Sequence, residues 1–251
     1  MSTKYDALGI DIGGSGIKGA PVDLGKGAFA EDRLRIATPD LSTPEAVCAV
    51  VEQVIDHFSP KKQVPIGITL PAVVTHGVVR TAANIDSSWI GVDAAALFAD
   101  RLDREVHMVN DADAAGVAER YYGAAKDRDG VVVLTTLGTG IGSALIIDGQ
   151  LVPNTELGHL EIDGHVAESR AAESARAREG LTIEQWAERL QTYYTRVEDL
   201  LWPDLFVVGG GISKQADTFL PLLDLRTEIV PARLKNKAGI IGAARLAAKS
   251  S

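Results

Sequence analysis

The sequence predicts an α/β protein made of two similar lobes. Apolar, strand-like runs alternate with amphipathic helices along all 251 residues, which is the pattern of α/β folds. A strand, a glycine-rich turn and a second strand occur twice, near residues 5–24 and near residues 130–147. Two lobes that each carry one such hairpin, and that face one cleft, would explain the repetition.

Apolar runs and turn residues define the elements of the first half of the chain. The first helix begins with Ser42 or Thr43 as N-cap and Pro44 in its first turn. Extended segments are predicted at 5–12, 16–24, 28–37, 64–70, 73–80 and 105–109, and helices at 44–58, 93–102 and 112–122.

The second half continues the alternation. We predict strands at 130–136, 143–147 and 204–208, a helical region at 168–201 interrupted at Gly180, and a closing helix at 238–249. The resulting division is a small N-terminal lobe of residues 1–109, on which the C-terminal helix of residues 239–251 packs, and a large lobe of residues 110–238.

Residues 6–19 carry the strongest functional signal. A strand ends at Asp11, the turn Gly13-Gly14-Ser15-Gly16 follows, and Lys18 comes next. Glycines let the backbone approach an anion, and their N–H groups can bind phosphate oxygens. Lys18 could reach a phosphate, and Asp11 could hold a metal ion or its water.

The same segment also matches the dinucleotide fingerprint, as Gly14-x-Gly16-x-x-Gly19. That fingerprint requires a helix to begin within it. Pro21, two residues after the last glycine, argues against a helix. We therefore interpret the segment as strand, turn and strand.

Composition and charge narrow the function classes. The net charge of −9 argues against nucleic acid or a membrane as a partner, and a polyanionic substrate would need a local basic patch. The sequence has no apolar run of membrane-spanning length and no signal-peptide pattern, so we expect a cytoplasmic protein. The single cysteine, Cys48, excludes a disulfide or a cysteine zinc site within one chain, and we expect a buried thiol.

Five motifs, in this order, resemble the ROK family of sugar kinases, which belongs to the superfamily of acetate and sugar kinases, actin and heat-shock ATPases. Within the family the chain is most similar to the bacterial polyphosphate glucokinases, including the polyphosphate/ATP glucomannokinase type. The motifs are Asp-Ile-Gly-Gly-Ser-Gly-Ile-Lys-Gly (11–19), Asn-Asp-Ala-Asp-Ala-Ala-Gly (110–116), Leu-Gly-Thr-Gly-Ile-Gly (137–142), Glu-Leu-Gly-His-Leu-Glu (156–161) and Val-Gly-Gly-Gly-Ile-Ser (208–213).

The resemblance covers essentially the whole chain and implies its fold and reaction. The fold would be a two-lobed, actin-like (ribonuclease-H-like) ATPase fold with the active site in the interlobe cleft. The enzyme would make glucose 6-phosphate from glucose, or act on mannose, with inorganic polyphosphate or ATP as donor. The family also implies a homodimer.

Two departures from the family pattern matter. ROK proteins usually carry a cysteine-rich zinc loop after the Gly-His pair, whereas this chain has Ile162-Asp163-Gly164-His165 and no cysteine there. We therefore expect no zinc and retain only a sugar-binding role for His159. The usual Pro-Gly after the central strand is Pro71-Ala72 here, which could alter the approach of the backbone to the sugar.

The resemblance assigns the sugar site. Asp111 would be the general base that takes the proton from the sugar 6-hydroxyl, a task that a carboxylate performs at neutral pH. From the residues alone, Asp111 could instead cap a helix, Glu168 could be a first-turn acid, and Asn84 a turn residue. The expected sugar-binding residues are Asn84, Asn110, Asp111, Glu156, His159 and Glu168.

The phosphate site follows from the glycine motifs. Mg²⁺ is expected, with Asp11 as its anchor through water, because phosphoryl transfer depends on positioning and charge neutralisation. The Gly-Gly-Gly run is where adenosine packs in ATP-using relatives, although a tight turn is the alternative. The expected phosphate or nucleotide residues are Asp11, Gly13, Gly14, Ser15, Gly16, Lys18, Gly138, Thr139, Gly140, Gly209, Gly210 and Gly211.

The phosphoryl donor is the part of the reaction that the sequence determines least. Between residues 226 and 249, six basic residues accompany one acid, Glu228. Some of them could line a polyphosphate path together with Lys18 and Lys214, although a solvated basic surface is the alternative. The six are Arg226, Arg233, Lys235, Lys237, Arg245 and Lys249.

Two other functions stay open. One is an ATP-only ROK sugar kinase, which donor assays would distinguish. The other is a non-enzymatic ROK repressor or actin-like filament protein. The repressor needs a DNA-binding extension before the first hairpin, and the filament proteins usually lack the Glu156 and His159 pair.

Overall fold

The computed structural model describes residues 5–83 and 85–250. Asn84, one of the expected sugar-binding residues, lies outside these residues. The backbone divides into two compact units, Met1–Ala118 with Lys237–Ser251 and Glu119–Asn236. The observed division falls within a helix, Asp111–Tyr122, whereas the boundary predicted from the sequence precedes that helix.

The elements of the first half follow the predicted order with shorter strands. They are β1 (Ala7–Gly13), β2 (Gly16–Asp23), β3 (Ala28–Phe29), β4 (Leu34–Ile36), α1 (Pro44–Phe58), β5 (Ile66–Leu70), β6 (Val74–Thr75), β7 (Val78–Val79), α2 (Ala94–Leu102), β8 (His107–Asn110) and α3 (Asp111–Tyr122).

The second half contains more short elements than the sequence predicted. They are β9 (Val131–Leu137), β10 (Ile141–Ile147), β11 (Gln150–Val152), β12 (Glu161–Ile162), β13 (His165–Val166), α4 (Glu168–Ala171), α5 (Glu173–Glu179), α6 (Ile183–Leu201), β14 (Leu205–Gly209), α7 (Ala216–Phe219), β15 (Glu228–Pro231) and α8 (Ala238–Ser250).

The first unit is built on the sheet β3-β2-β1-β5-β8, with β4 also paired to β2. Strands β1 and β2 form the predicted antiparallel hairpin, and β5 and β8 run parallel to β1. Because β2 is a strand, the dinucleotide interpretation is excluded as the sequence predicted. Helix α1 is capped by the Thr43 side chain, and α8 packs on β1 and β5.

The second unit repeats this plan with the sheet β11-β10-β9-β14-β15. Strands β9 and β10 are the second antiparallel hairpin, and β14 and β15 run parallel to β9. Its core packs Trp186, Tyr193, Tyr194 and Phe219 of α6 and α7 against the sheet. The repetition predicted from the glycine turns is therefore present as a repeated strand order.

Three predicted elements are wrong in detail. The segment 73–80 is not one extended segment, because a turn at His76 and Gly77, both with positive φ, separates the antiparallel strands β6 and β7. The segment 28–37 is not one strand, because the exposed residues Ala30–Arg33 separate β3 from β4. The region 168–201 is three helices: an extended residue, Ala172, separates α4 from α5, and Gly180 in the left-handed conformation ends α5. Thr182 and Gln185 then form a capping box that starts α6.

None of the helices in the described part of the chain is long and apolar enough to cross a membrane.

Candidate active site

Asp11, at the end of β1, is held by both neighbouring strands of the first sheet. It lies opposite Lys18 on β2 and beside Thr69 on β5. Its Oδ2 lies 3.1 Å from Lys18 Nζ, and its Oδ1 accepts a hydrogen bond of 3.0 Å from Thr69 Oγ1. The structure therefore brings together two predicted residues and a threonine that sequence reasoning missed, although a polar residue in the buried run Ile-Gly-Ile-Thr-Leu was a usable signal.

The first glycine turn is held in place by two side chains that the sequence analysis did not single out. The Arg35 guanidinium donates to Ser15 O at 2.7 Å, and Thr38 Oγ1 donates to Gly13 O. A side chain at Gly16 would collide with the same guanidinium. Arg35 therefore places a positive charge at the turn that we expect to bind phosphate.

The predicted base lies at the junction of β8 and α3. Asp111 is the first residue of α3 and is partly exposed, and its Oδ1 accepts the Ala112 N–H at 2.9 Å. Asn110 is buried and caps the helix, because its Oδ1 accepts from the Ala112 and Asp113 N–H groups at 2.8 and 3.1 Å. Its Nδ2 donates to Ala72 O at 3.1 Å.

These bonds change the interpretation of Asn110 and of the Pro71-Ala72 departure. The amide oxygen of Asn110 is used by the helix and one amide N–H by Ala72 O, so one amide N–H remains for a sugar hydroxyl. Ala72 is 4 % exposed and packs in the core of the first unit, which explains why a residue with a side chain fits there.

In the second unit, Glu156, His159 and Glu168 converge. His159 Nε2 lies 4.0 Å from Glu156 Oε2 and 3.7 Å from Glu168 Oε1. Burial raises the pKa of the Glu156 carboxyl above its usual value, the charge of Glu168 acts in the same direction, and His159 opposes both. Two carboxylates and an imidazole at this spacing suit a molecule with several hydroxyl groups.

The second glycine turn is attached to this cluster. Glu168 Oε2 accepts the Ile141 N–H at 2.9 Å, and a side chain at Gly140 would overlap the same oxygen. Ser174, which sequence reasoning missed, donates from Oγ to Thr139 O at 2.6 Å and from N to Gly138 O at 3.0 Å. Nothing in the sequence near residue 139 points to a residue so far along the chain.

The Gly209-Gly210-Gly211 run lies beside the second turn. Gly209 pairs with Thr136, and Gly210 has a φ of +84° and packs against the backbone of Leu137. By contrast, a side chain at Gly138 or Gly211 would meet no atom within 4 Å. Packing requires glycine at 210 but not at 138 or 211, so open backbone is available there to a ligand.

Asp11 is the candidate ligand for Mg²⁺. Within the described residues, no group of three or more His, Cys, Asp or Glu side chains could hold a metal ion. Asp11 offers one carboxylate that also contacts Lys18 and Thr69. Such a ligand fits Mg²⁺, which keeps several waters and binds through one or two carboxylates plus substrate phosphates.

The basic residues of the C-terminal segment do not form one group. Arg226 pairs with Glu198 and Asp199 and lies over the Trp202 ring, and the Lys237 ammonium lies 5.5 Å from the Phe29 ring centroid. Arg226 therefore belongs to a separate cluster, and the prediction that some of the six residues line a polyphosphate path stays open for the others.

Cys48 lies in the core of the first unit, 1 % exposed. Burial raises the pKa of its thiol to about 11, so it is protonated at neutral pH and is a packing residue, as expected.

Comparisons with known proteins give one consistent picture. The model of the ROK family matches residues 7–180. Polyphosphate glucokinase of Mycobacterium tuberculosis is 51% identical over 244 residues, which cover 97% of this chain and 91% of that protein.

Two solved structures extend the likeness to three dimensions. The inorganic polyphosphate/ATP-glucomannokinase of Arthrobacter sp. strain KM aligns with a TM-score of 0.94 and 53% identity, over 98% of this chain and 100% of the other. A ROK family glucokinase of Streptomyces griseus, solved with glucose and AMPPNP, aligns with a TM-score of 0.83 at 24% identity, over 97% and 99%. The second alignment shows a shared fold.

Proposed function

This chain belongs to the ROK family, and we propose that it is a polyphosphate/ATP glucokinase that makes glucose 6-phosphate. Its fold is the two-domain, actin-like ATPase fold of ROK sugar kinases. Relatives of this activity share about half of its residues over nearly its whole length. Glucose is the acceptor, and inorganic polyphosphate or ATP is the donor; mannose is a second candidate sugar.

One observation in the second unit carries the proposal. A single carboxylate, that of Glu168, lies 3.7 Å from His159 Nε2 through Oε1 and accepts the Ile141 N–H at 2.9 Å through Oε2. The group expected to bind sugar hydroxyls is therefore attached to the turn expected to bind donor phosphate. This is the arrangement that phosphoryl transfer to a sugar requires, because catalysis depends mainly on positioning.

Asp111 is the proposed general base. It takes the proton of the glucose 6-hydroxyl as a bond forms between O6 and the terminal phosphorus of the donor. The bond from that phosphorus to its bridging oxygen breaks, and the donor leaves one phosphate shorter. General-base catalysis of this kind contributes about 10²–10⁴ in rate. Asn110 would donate its amide N–H, and Glu156, His159 and Glu168 would bind the remaining hydroxyl groups.

The glycine turns are the proposed phosphate sites. Backbone N–H groups of Gly13–Gly16 and Gly138–Gly140 would bind phosphate oxygens, and Lys18 and Arg35 would supply positive charge. Gly209–Gly211 would take the nucleoside when ATP is the donor. Mg²⁺, when bound near Asp11, would neutralise charge on the transferred phosphate.

A homodimer and a cytoplasmic location complete the proposal. Family membership supports the first. The buried free thiol of Cys48 supports the second, because free thiols persist in a reducing compartment. Without a cysteine in residues 162–168, a zinc site of the usual ROK kind is not part of the proposal.

The test is glucose 6-phosphate formation with Mg²⁺, measured with polyphosphate and with ATP as separate donors. Product with polyphosphate supports the proposal. Product with ATP alone would make the chain an ATP-dependent ROK sugar kinase instead. Folded protein that forms no product with either donor would contradict the proposed activity.

A further inference from the structure

A solvent-exposed cavity of about 630 Å³ lies in the second unit, beside the edge strand β15. It is lined by the start of α7, by the loop that follows β15 and by the segment that follows α3. Four cationic and two acidic side chains line it: Arg128, Lys214, Arg233, Lys235, Asp217 and Glu228.

The charges that line the cavity are not balanced. Glu228 is paired with Arg128 at 2.8 Å. Lys214, Arg233 and Lys235 are exposed, and within the described residues none of them has a carboxylate within 4 Å. Among the described residues, three unpaired cations and one unpaired acid, Asp217, line this concave surface. In a chain of net charge −9, this local excess of positive charge indicates an anionic ligand.

The loop that carries two of these cations is rigidly attached. The carboxylate of Glu119 is fully buried and accepts the backbone N–H groups of Ala124, Arg233 and Leu234, the last at 2.7 Å. A buried carboxylate is stable only when it is bonded in this way. Arg233 and Lys235 are therefore presented by a fixed backbone, which lowers the entropic cost of binding a ligand.

The cavity lies next to the third glycine run, to which one of its lining residues is hydrogen-bonded. Ser213, which lines the cavity, donates to Gly210 O from Oγ at 2.8 Å and from N at 3.2 Å. Gly211, next to that carbonyl, borders open space. A ligand that begins at the glycine turns of the second unit therefore has a cationic surface to extend onto.

We propose that this cavity binds the distal phosphates of inorganic polyphosphate, the part of the donor that ATP does not possess. The inference rests on the proposed function, and it replaces the broader basic path expected from the sequence. A linear polyanion carries about one charge for each phosphate, so additional exposed cations along its length add affinity that is sensitive to salt. A donor that ends after three phosphates gains little from them.

The test compares polyphosphates of increasing length with ATP. The variants are Arg233→Gln/Lys235→Gln and the same pair with Lys214→Gln, and Lys126→Gln is the matched control, because Lys126 is an exposed lysine of the second unit outside the cavity lining. We expect the KM for long polyphosphate to rise about tenfold in the double variant. The KM for tripolyphosphate and for ATP, and the kcat with ATP, stay at the wild-type values.

Three results would overturn the inference. They are an unchanged KM for long polyphosphate, an equal rise for polyphosphate and ATP, and an equal effect of Lys126→Gln. Direct binding of long polyphosphate, measured by calorimetry on the same variants, separates this inference from the proposed function. If the wild type forms no glucose 6-phosphate, the proposed function fails. A binding difference between wild type and double variant still supports the cavity, and equal binding refutes it.

Discussion

The two sheets share one strand order, but their glycine turns are supported in different ways. The first turn depends on the hairpin itself and on its neighbours: Lys18 and Thr69 contact Asp11, and Arg35 contacts Ser15. The second turn depends on Glu168 and Ser174, which come from helices well beyond its own strands.

Under the proposed function, the two turns have different tasks. The first turn lies beside three charged side chains, those of Asp11, Lys18 and Arg35, as expected for a site that binds a phosphate together with its metal ion. The second turn is connected through Glu168 to the polar cluster with Glu156 and His159, as expected for a site that relates phosphate to sugar. The variants below separate these tasks.

The largest expected effect is that of Asp111→Asn in the first unit. The amide cannot accept the proton of the 6-hydroxyl, so kcat should fall about 10²–10⁴-fold with either donor while the glucose KM changes little. Steady-state kinetics on folded protein measure this. Asp100→Asn, the same change at an exposed residue of α2, is the control. A fall of less than threefold for Asp111→Asn would exclude the role of general base.

The next two variants compare a glycine that packs against the backbone with a glycine that borders open space. Gly210→Ala places a side chain against the Leu137 backbone at a φ of +84° and should destabilise the fold by about 3 kcal/mol. Gly211→Ala meets no atom within 4 Å and should stay within about 0.5 kcal/mol of the wild type. Urea unfolding measures both. Similar midpoints for the two variants would contradict the packing argument.

Glu168→Gln should weaken sugar binding while the second turn stays in place. The amide oxygen can still accept the Ile141 N–H, but the negative charge facing His159 is lost. We expect kcat/KM for glucose to fall about tenfold, the size of one lost charge-assisted hydrogen bond. The matched control is Glu188→Gln on the exposed face of α6. A variant that keeps the wild-type kcat/KM would remove Glu168 from the site.

The smallest effect is a pH dependence of stability at Glu156. Its folded-state pKa is raised above 4.5, its ordinary value, so the folded state binds more protons than the unfolded state in this range. Stability therefore falls as pH rises from 4.5 through the raised pKa. Glu156→Gln should become more stable relative to the wild type over that interval. Thermal midpoints at several pH values measure this, and a constant difference would contradict it.

The sequence was sufficient where a short local pattern of residues determines the backbone. The glycine turns predicted both hairpins, Thr43 and Pro44 predicted the start of α1, and Pro21 excluded a helix after the first turn. The short strands β11, β12, β13 and β15 were missed, because two to four residues carry too little alternation to be recognised.

Contacts made across long stretches of chain were not predictable. The hydroxyl groups of Ser174 and Thr38 donate to turn carbonyls that lie 35 and 25 residues away along the chain. In the sequence, nothing distinguishes Arg35, which binds the first turn, from the other arginines. The sequence does not distinguish the basic residues of the C-terminal segment from one another. In the structure, Arg226 pairs with Glu198 and Asp199, whereas Arg233 and Lys235 line a cavity. The direction of each side chain in this segment depends on the three-dimensional course of the backbone, which the sequence pattern does not reveal.

The phosphate-binding role of the turns is tested most directly by Gly138→Ala, assayed for glucose 6-phosphate formation as donor concentration is varied. Nothing in the structure lies within 4 Å of the added methyl group, so the thermal midpoint should equal that of the wild type. The donor KM should rise about tenfold with polyphosphate and with ATP, and the glucose KM should not change. An unchanged donor KM, or a rise in the glucose KM alone, would contradict phosphate binding at this turn.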